Sequence, residues 1–202
     1  MNDLLERLKL PGNSPILPET LAELIIKTDF DKLEYKKYIQ IAEHTDYTRI
    51  QLMSDPFDVE LMIWPPSRQS AIHMHSGFWG HVIVLEGIGK EKIYKWDGKT
   101  LTLFRKQVLR PFANMHVKAD SVHSVKNADD TGIFVTLHIY YPPQPGMENT
   151  IIFDTDTKRL GVLNKYAGSA SWNEPESGFD SIRENAFEYV DAISEGPQGN
   201  PD

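Results

Sequence analysis

The sequence predicts a mainly β protein, a barrel or sandwich of short strands with helices before it and one helix after it. Two observations carry this. From Tyr47 onward the chain breaks into short β-rich runs, YTRIQLM, DVELMIWPP, SAIHMH, HVIVLEG, KEKIYKW, KTLTLFRKQVL and IFVTLHIYYPP, with no helical pattern between them. Turn signals punctuate them at Ser54-Asp55-Pro56, Pro65-Pro66-Ser67, Asp97-Gly98 and Asp129-Asp130. With 202 residues the chain is long enough for one substantial core without staples. The expected organisation is a single domain: a helical segment over 1–46, a β-barrel core over 47–174, and a C-terminal helix and tail over 175–202.

Each element has a local reason. After the loop signal Pro11-Gly12-Asn13, Pro18-Glu19-Thr20 opens a helix whose Leu21, Leu24 and Ile25 share one face. A second helix is expected over Asp31–His44, ending before the turn at Thr45-Asp46; both helices would cover one side of the β domain. Asp97-Gly98 between KIYKW and KTLTLF is a hairpin signal. In the run Phe134 to Tyr140, Val135, Leu137 and Ile139 form an apolar face and Thr136, His138 and Tyr140 the other. That polar face is either solvated or lines the barrel interior. Further β-like runs, TIIFDTDT and RLGVLNKY, follow. Phe179, Ile182, Ala186, Val190 and Ile193 recur at helical spacing, with Gly196 as a stop and PQGNPD as a frayed tail.

Composition narrows the function classes. Cysteine is absent, so disulfides, thiolate ligands and a cysteine nucleophile are excluded. The formal charge of −8 argues against a nucleic-acid footprint, which needs clustered Lys and Arg. MNDLLERLKL lacks the apolar core of a signal peptide, and no apolar run has bilayer length. The expectation is a cytoplasmic protein, monomeric or weakly self-associating, that meets small molecules rather than nucleic acid or membrane.

The chemistry concentrates in AIHMHSGFWGHVIVLEG, Ala71 to Gly87, and SVHSVKN, Ser121 to Asn127. His73 and His75 stand two apart in strand-like sequence, so both project from one face while Ile72 and Met74 take the other. His123, in a second β-like run, is the best-placed third ligand. Three neutral imidazoles leave a divalent metal its full charge and open positions, as in non-haem iron oxygenases. The two segments resemble the paired motifs of cupins, Gly and His-x-His closed by Gly, then His with Asn four residues later. The usual Glu slot falls at Trp79 or Gly80, so that carboxylate is missing. The expected fold is therefore the cupin double-stranded β-helix, or jelly-roll barrel.

A more specific resemblance extends from about Tyr47 to Pro143. The chain is similar to the cysteine dioxygenase family of thiol dioxygenases: YTR at Tyr47–Arg49 resembles its substrate-carboxylate segment, and Trp64 a pocket tryptophan. His73, His75 and His123 match its iron ligands, and Thr136, His138 and Tyr140 before Pro142-Pro143 its Ser-His-Tyr strand. Gly80 stands where mammalian-type enzymes carry a Cys crosslinked to the Tyr, as in bacterial-type relatives without the crosslink. The resemblance implies a ferrous (Fe2+) site that converts L-cysteine and O2 to cysteine sulfinic acid. Tyr140 would act at the substrate, with His138 and Thr136 bracing it. Arg49, a rigid fork suited to a carboxylate, would favour cysteine over 3-mercaptopropionate or another small thiol, and Tyr47 and Arg49 would form a wall opposite Tyr140. A non-catalytic metal-binding cupin is the alternative from a different class. His44, His81 and His116 have no assigned role, though His81 follows the ligand loop closely.

Overall fold

The computed structural model describes residues 1–9, 16–39, 46–144 and 146–193. The Pro11-Gly12-Asn13 loop, residues 40–45 with His44, Gly196 and the PQGNPD tail lie outside the described residues. The chain opens with helix α1 (Asn2–Leu8), which lies inside the expected helical segment over 1–46 and buries Leu4 and Leu8 one turn apart. Helix α2 (Pro18–Ile26) begins on Pro18 at its first turn and buries Leu21 and Ile25, as its spacing predicts. The helix expected over Asp31–His44 is not formed in its described part. Two single 3-10 turns, Phe30–Lys32 and Lys36–Tyr38, replace it. An α-helix would set Phe30 and Tyr35 on opposing sides, whereas the irregular path packs Phe30, Leu33, Tyr35, Tyr38 and Ile39 against one cluster.

Thirteen strands follow among the described residues: β1 Thr48–Met53, β2 Asp58–Trp64, β3 Ile72–Met74, β4 Trp79–Glu86, β5 Gly89–Trp96, β6 Thr100–Leu109 and β7 Asn114–Val117. After them come β8 Val122–Asn127, β9 Phe134–Tyr141, β10 Ile151–Asp154, β11 Arg159–Leu163, β12 Phe179–Arg183 and β13 Glu188–Asp191. They form two sheets, ordered β1-β2-β9-β4-β7 and β12-β11-β10-β3-β8-β5-β6-β13. This is the mainly β, curled two-sheet architecture of a cupin double-stranded β-helix. The Asp97-Gly98 hairpin forms: Gly98 has φ +92°, and Asp97 Oδ1 accepts from the Lys99 and Thr100 N–H groups at 2.9 and 2.6 Å.

The C-terminal helix is a correction. Phe179 and Ile182 sit instead in β12, which pairs with β11, and Val190 in β13, which runs parallel to β6, while Ala186 and Ile193 lie outside both strands. The left-handed Asn185 (φ 48°) lies between the two strands. Strands β11 and β6 would otherwise expose unpaired backbone groups, and covering those edges outweighs a helical stripe whose Ile182 and Ile193 stay 43% and 39% exposed.

The core sits on both faces of the first sheet. Val59, Leu61 and Ile63 of β2 and Val135, Leu137 and Ile139 of β9 point outward and pack under α1 and α2. The alternate residues of the same strands, Asp58, Glu60, Met62 and Trp64 with Thr136, His138 and Tyr140, point into the barrel. The polar face of β9 is therefore interior, and all three of its residues are buried.

Candidate metal centre and substrate cavity

The three histidines are assembled by the second sheet. In the β3–β8 pair His73 lies opposite His123. His75 stands one residue past β3, held by its own N–H to Ser121 O (3.0 Å) and by the Asp120 N–H to its carbonyl (2.6 Å). One ring nitrogen from each lies within 4.8 Å of the others. His73 Nδ1 is 3.0 Å from the Ala71 carbonyl, which only accepts, so the proton is on Nδ1 and Nε2 keeps its lone pair. His123 Nδ1 is 2.6 Å from Glu91 Oε1, with the same consequence. His75 Nε2 faces His123 Nε2 at 2.8 Å. Burial, then the neighbouring His123, pushes His73 down to about 3 and His75 well below its ordinary range. Two neutral imidazoles beside His123, with the buried His75 Nδ1 left without a partner and one ring nitrogen of each converging within 4.8 Å, are a donor set that suits a divalent transition metal, so these residues fit a metal ion.

Glu91 was not singled out in the sequence. Burial favours its acid form, but the bonds from His123 and Gln107 outweigh that and hold it below the usual carboxylate range. A carboxylate on the far nitrogen of a ligand histidine fixes its tautomer and raises its basicity. The barrel thus has a carboxylate at its histidines after all, from β5 and behind His123 rather than in the missing motif slot. Lys-Glu-Lys in an amphipathic strand reads as solvated charge, and only the β5–β8 register brings Glu91 to His123.

On the facing sheet a directional chain runs down the interior of β2 and β9. Trp64 Nε1 donates to Thr136 Oγ1 (3.0 Å), Thr136 Oγ1 lies 2.8 Å from His138 Nε2, and His138 Nδ1 lies 2.7 Å from the Tyr140 hydroxyl. The indole N–H is a donor only, so Thr136 Oγ1 accepts from it and keeps its own proton and a second lone pair for His138. With the Thr136 proton given to His138 Nε2, His138 donates from Nδ1 to Tyr140, and the phenol proton is free to point into the cavity. Burial, then the charge of Glu60, holds the Tyr140 phenol well above its ordinary range, so it stays protonated. Its ring lies 5.5 Å from that of His75, and Phe78 packs edge-on against both. At Gly80, opposite Tyr140 in the β4–β9 register, an added Cβ would lie 2.0 Å from the Ile139 carbonyl oxygen and 2.8 Å from the Tyr140 ring. The phenol ring occupies the room that a side chain there would need.

Arg49 and Tyr47 both reach the cavity but do not form a wall opposite Tyr140. Because β1, β2 and β9 are consecutive in one sheet, Arg49, Glu60 and Tyr140 share a wall, and the histidines stand across from them. Tyr47 stacks on Trp64 at 4.4 Å and accepts the Ala170 N–H at 2.7 Å. The Arg49 fork is already engaged. Nε donates to Glu60 Oε2 at 3.0 Å and the NH2 nitrogen to Glu60 Oε1, while NH1 reaches Gly168 O at 3.5 Å. Glu60 is buried at 4% exposure and Arg49 largely so at 12%, and removing one partner of a buried pair costs about 3–5 kcal/mol. Asp58 lies next along the same face, its Oδ1 accepting from Gln51 Nε2 at 3.1 Å. Burial and then Glu60 push its carboxyl up to about 6. Asp58 and Glu60 were missed, although a signal existed: in DVELMIW they alternate in phase with Trp64 while Val59, Leu61 and Ile63 form the other face.

The remaining candidates are structural in placement. His81 does not line the cavity; its Nδ1 lies 2.9 Å from Asn114 Oδ1 and its ring 5.2 Å from that of His116. Asn127 donates to the carbonyls of Trp64, Pro65 and Gly132 at 2.8–3.0 Å and so ties the strand ends together. The cavity leaves about 50 Å³ of free space, room for a few water-sized occupants at ~10–15 Å³ each.

Residues 16–151 match the family model described as cysteine dioxygenase type I. Human cysteine dioxygenase type 1 is 29% identical over 142 residues, covering 67% of this chain and 67% of the human protein. The Bos taurus protein of the same name is 24% identical over 164 residues, covering 74% and 76%. Among solved structures, a sugar phosphate isomerase from a cupin superfamily of Silicibacter pomeroyi is 16% identical with a TM-score of 0.45, covering 72% of this chain and 80% of that one.

Proposed function

The chain belongs to the cysteine dioxygenase type I family, and on that premise we propose that it is a ferrous thiol dioxygenase. It adds both atoms of O2 to the sulfur of a small aminothiol, L-cysteine being the substrate the family implies. The observation that carries this reading is the convergence of His73, His75 and His123 on one point, across one small cavity from the buried Thr136–His138–Tyr140 chain. Held by His73, His75 and His123, ferrous iron would lower the thiol pKa and supply the redox chemistry for dioxygen.

The chain's own residues do the rest. His73 and His123, with their protons held on Nδ1 by Ala71 O and Glu91, present Nε2 without rearrangement. Tyr140 offers a phenol proton where charge develops on the reacting oxygens, and His138 fixes its direction. Phe78, Met62 and Val125 line the cavity with apolar surface that excludes water. In the balanced reaction one thiol and one O2 give one sulfinic acid: sulfur loses four electrons, dioxygen gains four, and no external reductant is required. Anaerobic loading with ferrous iron, then exposure to oxygen with a panel of small thiols, tests the reading. A mass gain of two oxygens on one thiol is the expected result; none on any thiol in the iron-loaded protein refutes it.

A further inference from the structure

Among the described residues Arg49 is the sole Arg or Lys lining the cavity, and its Nε–NH2 edge is taken by Glu60. From this pairing we propose that the substrate is a small aminothiol without a carboxylate, recognised by its thiol and amine; this rests on the thiol dioxygenase reading above. A carboxylate accepted by Arg49 would have to displace Glu60, leaving a buried anion unpaired, or share an already neutralised guanidinium beside that anion. Neither arises for a substrate that ends in its amine.

The surrounding charges point the same way. Asp58 lies next to Glu60 on the inward face of β2, and its carboxyl, at about 6, is ionised at neutral pH. Glu148 adds a third acid to the lining. One cation therefore faces three acids on this side of the cavity, a field that repels a carboxylate and attracts an ammonium group on approach. A two-carbon aminothiol offers the same sulfur and nitrogen as cysteine and places only hydrogen where cysteine carries its acid.

For cysteamine the balanced reaction takes one ammonium-bearing 2-aminoethanethiol and one O2 to one zwitterionic 2-aminoethanesulfinate and one proton. Both oxygens end on sulfur, sulfur gives four electrons to dioxygen, and the released proton is that of the sulfinic acid.

The test is steady-state oxygen uptake by the iron-loaded protein with cysteamine, L-cysteine and 3-mercaptopropionate, with products identified by mass. The wild type should prefer cysteamine to both acids by about 10-fold or more in kcat/KM. Glu60→Gln, which frees the guanidinium, should lower KM for L-cysteine about 10-fold and narrow or reverse the preference. The wild-type ratio decides even if that variant fails to fold. Preference of the wild type for either carboxylate-bearing thiol overturns this inference and leaves the dioxygenase standing. Oxidation of none of the three, with iron bound, overturns both.

Discussion

The two walls of the cavity dispose of their polar groups in opposite ways. On the wall of β3, β8 and β5 the partners stand behind the rings, Ala71 O on His73 and Glu91 on His123, so the nitrogens facing the cavity are left bare. On the wall of β1, β2 and β9 the partners lie alongside one another on the same sheet. Arg49 meets Glu60, Asp58 is held by Gln51, and Trp64, Thr136, His138 and Tyr140 are linked in series. Backing a group from outside leaves its free face available to a ligand. Pairing groups side by side neutralises Arg49 against Glu60 and orients the Tyr140 hydroxyl. Opposite walls can therefore carry similar numbers of polar residues while one is built to bind an ion and the other to orient and exclude.

The sharpest way to break that contrast is to remove a group from the ion-binding wall. His123→Ala should abolish stoichiometric iron binding in a protein that still folds, measured by metal analysis alongside circular dichroism, because two nitrogens cannot replace a three-cornered site. Full iron retention in the folded variant would contradict the assignment of that wall.

On the facing wall Tyr140→Phe should leave iron content and folding intact and lower the rate of sulfinate formation by about 10- to 1,000-fold, the worth of one positioned hydrogen bond in the transition state. His138→Gln should lower the same step, and the double variant should lose less than the sum, since both act through one hydroxyl. An unchanged rate in Tyr140→Phe would make the phenol a packing group only.

Glu91→Gln probes the backing residue alone. It keeps a hydrogen-bond acceptor for His123 but removes the charge, so iron affinity should fall by about 10- to 100-fold, read by competition with a chelator. No change would mean that the outer partner does not tune the ligand.

The smallest expected effect separates charge cancellation from charge use. The Asp58 carboxyl, pushed up to about 6, lies above its unfolded value, so the folded protein favours the acid. That contribution is complete below about pH 4 and is lost as pH rises through about 6. Asp58→Asn should therefore raise the melting temperature by about 2–4 °C at pH 8, for roughly 1 kcal/mol in a chain of this size, and change it little at pH 4. An equal shift at both pH values would assign the effect to packing.

By itself the sequence determined the β-rich fold class, helix α2, the Asp97-Gly98 hairpin, the three histidines and the Thr136–His138–Tyr140 face. The fold class, helix α2 and the β9 face rest on a short-range period, two residues along a strand or three and four along a helix; the hairpin rests on a turn dipeptide, and the grouping of His123 with His73 and His75 on the resemblance to the cupin motifs. It also suggested a C-terminal helix and a helix over Asp31–His44, because spacing alone carries no information about open sheet edges or about a surface that several aromatics must reach together. What only the tertiary structure decided are contacts between strands far apart in sequence. Glu91 reaches His123 through the β5–β8 register, and Glu60 reaches Arg49 through that of β1–β2. The same Arg49 that the family resemblance makes a carboxylate receptor is, beside Glu60, half of an ion pair. Only long-range pairing sets which charges share one low-dielectric space.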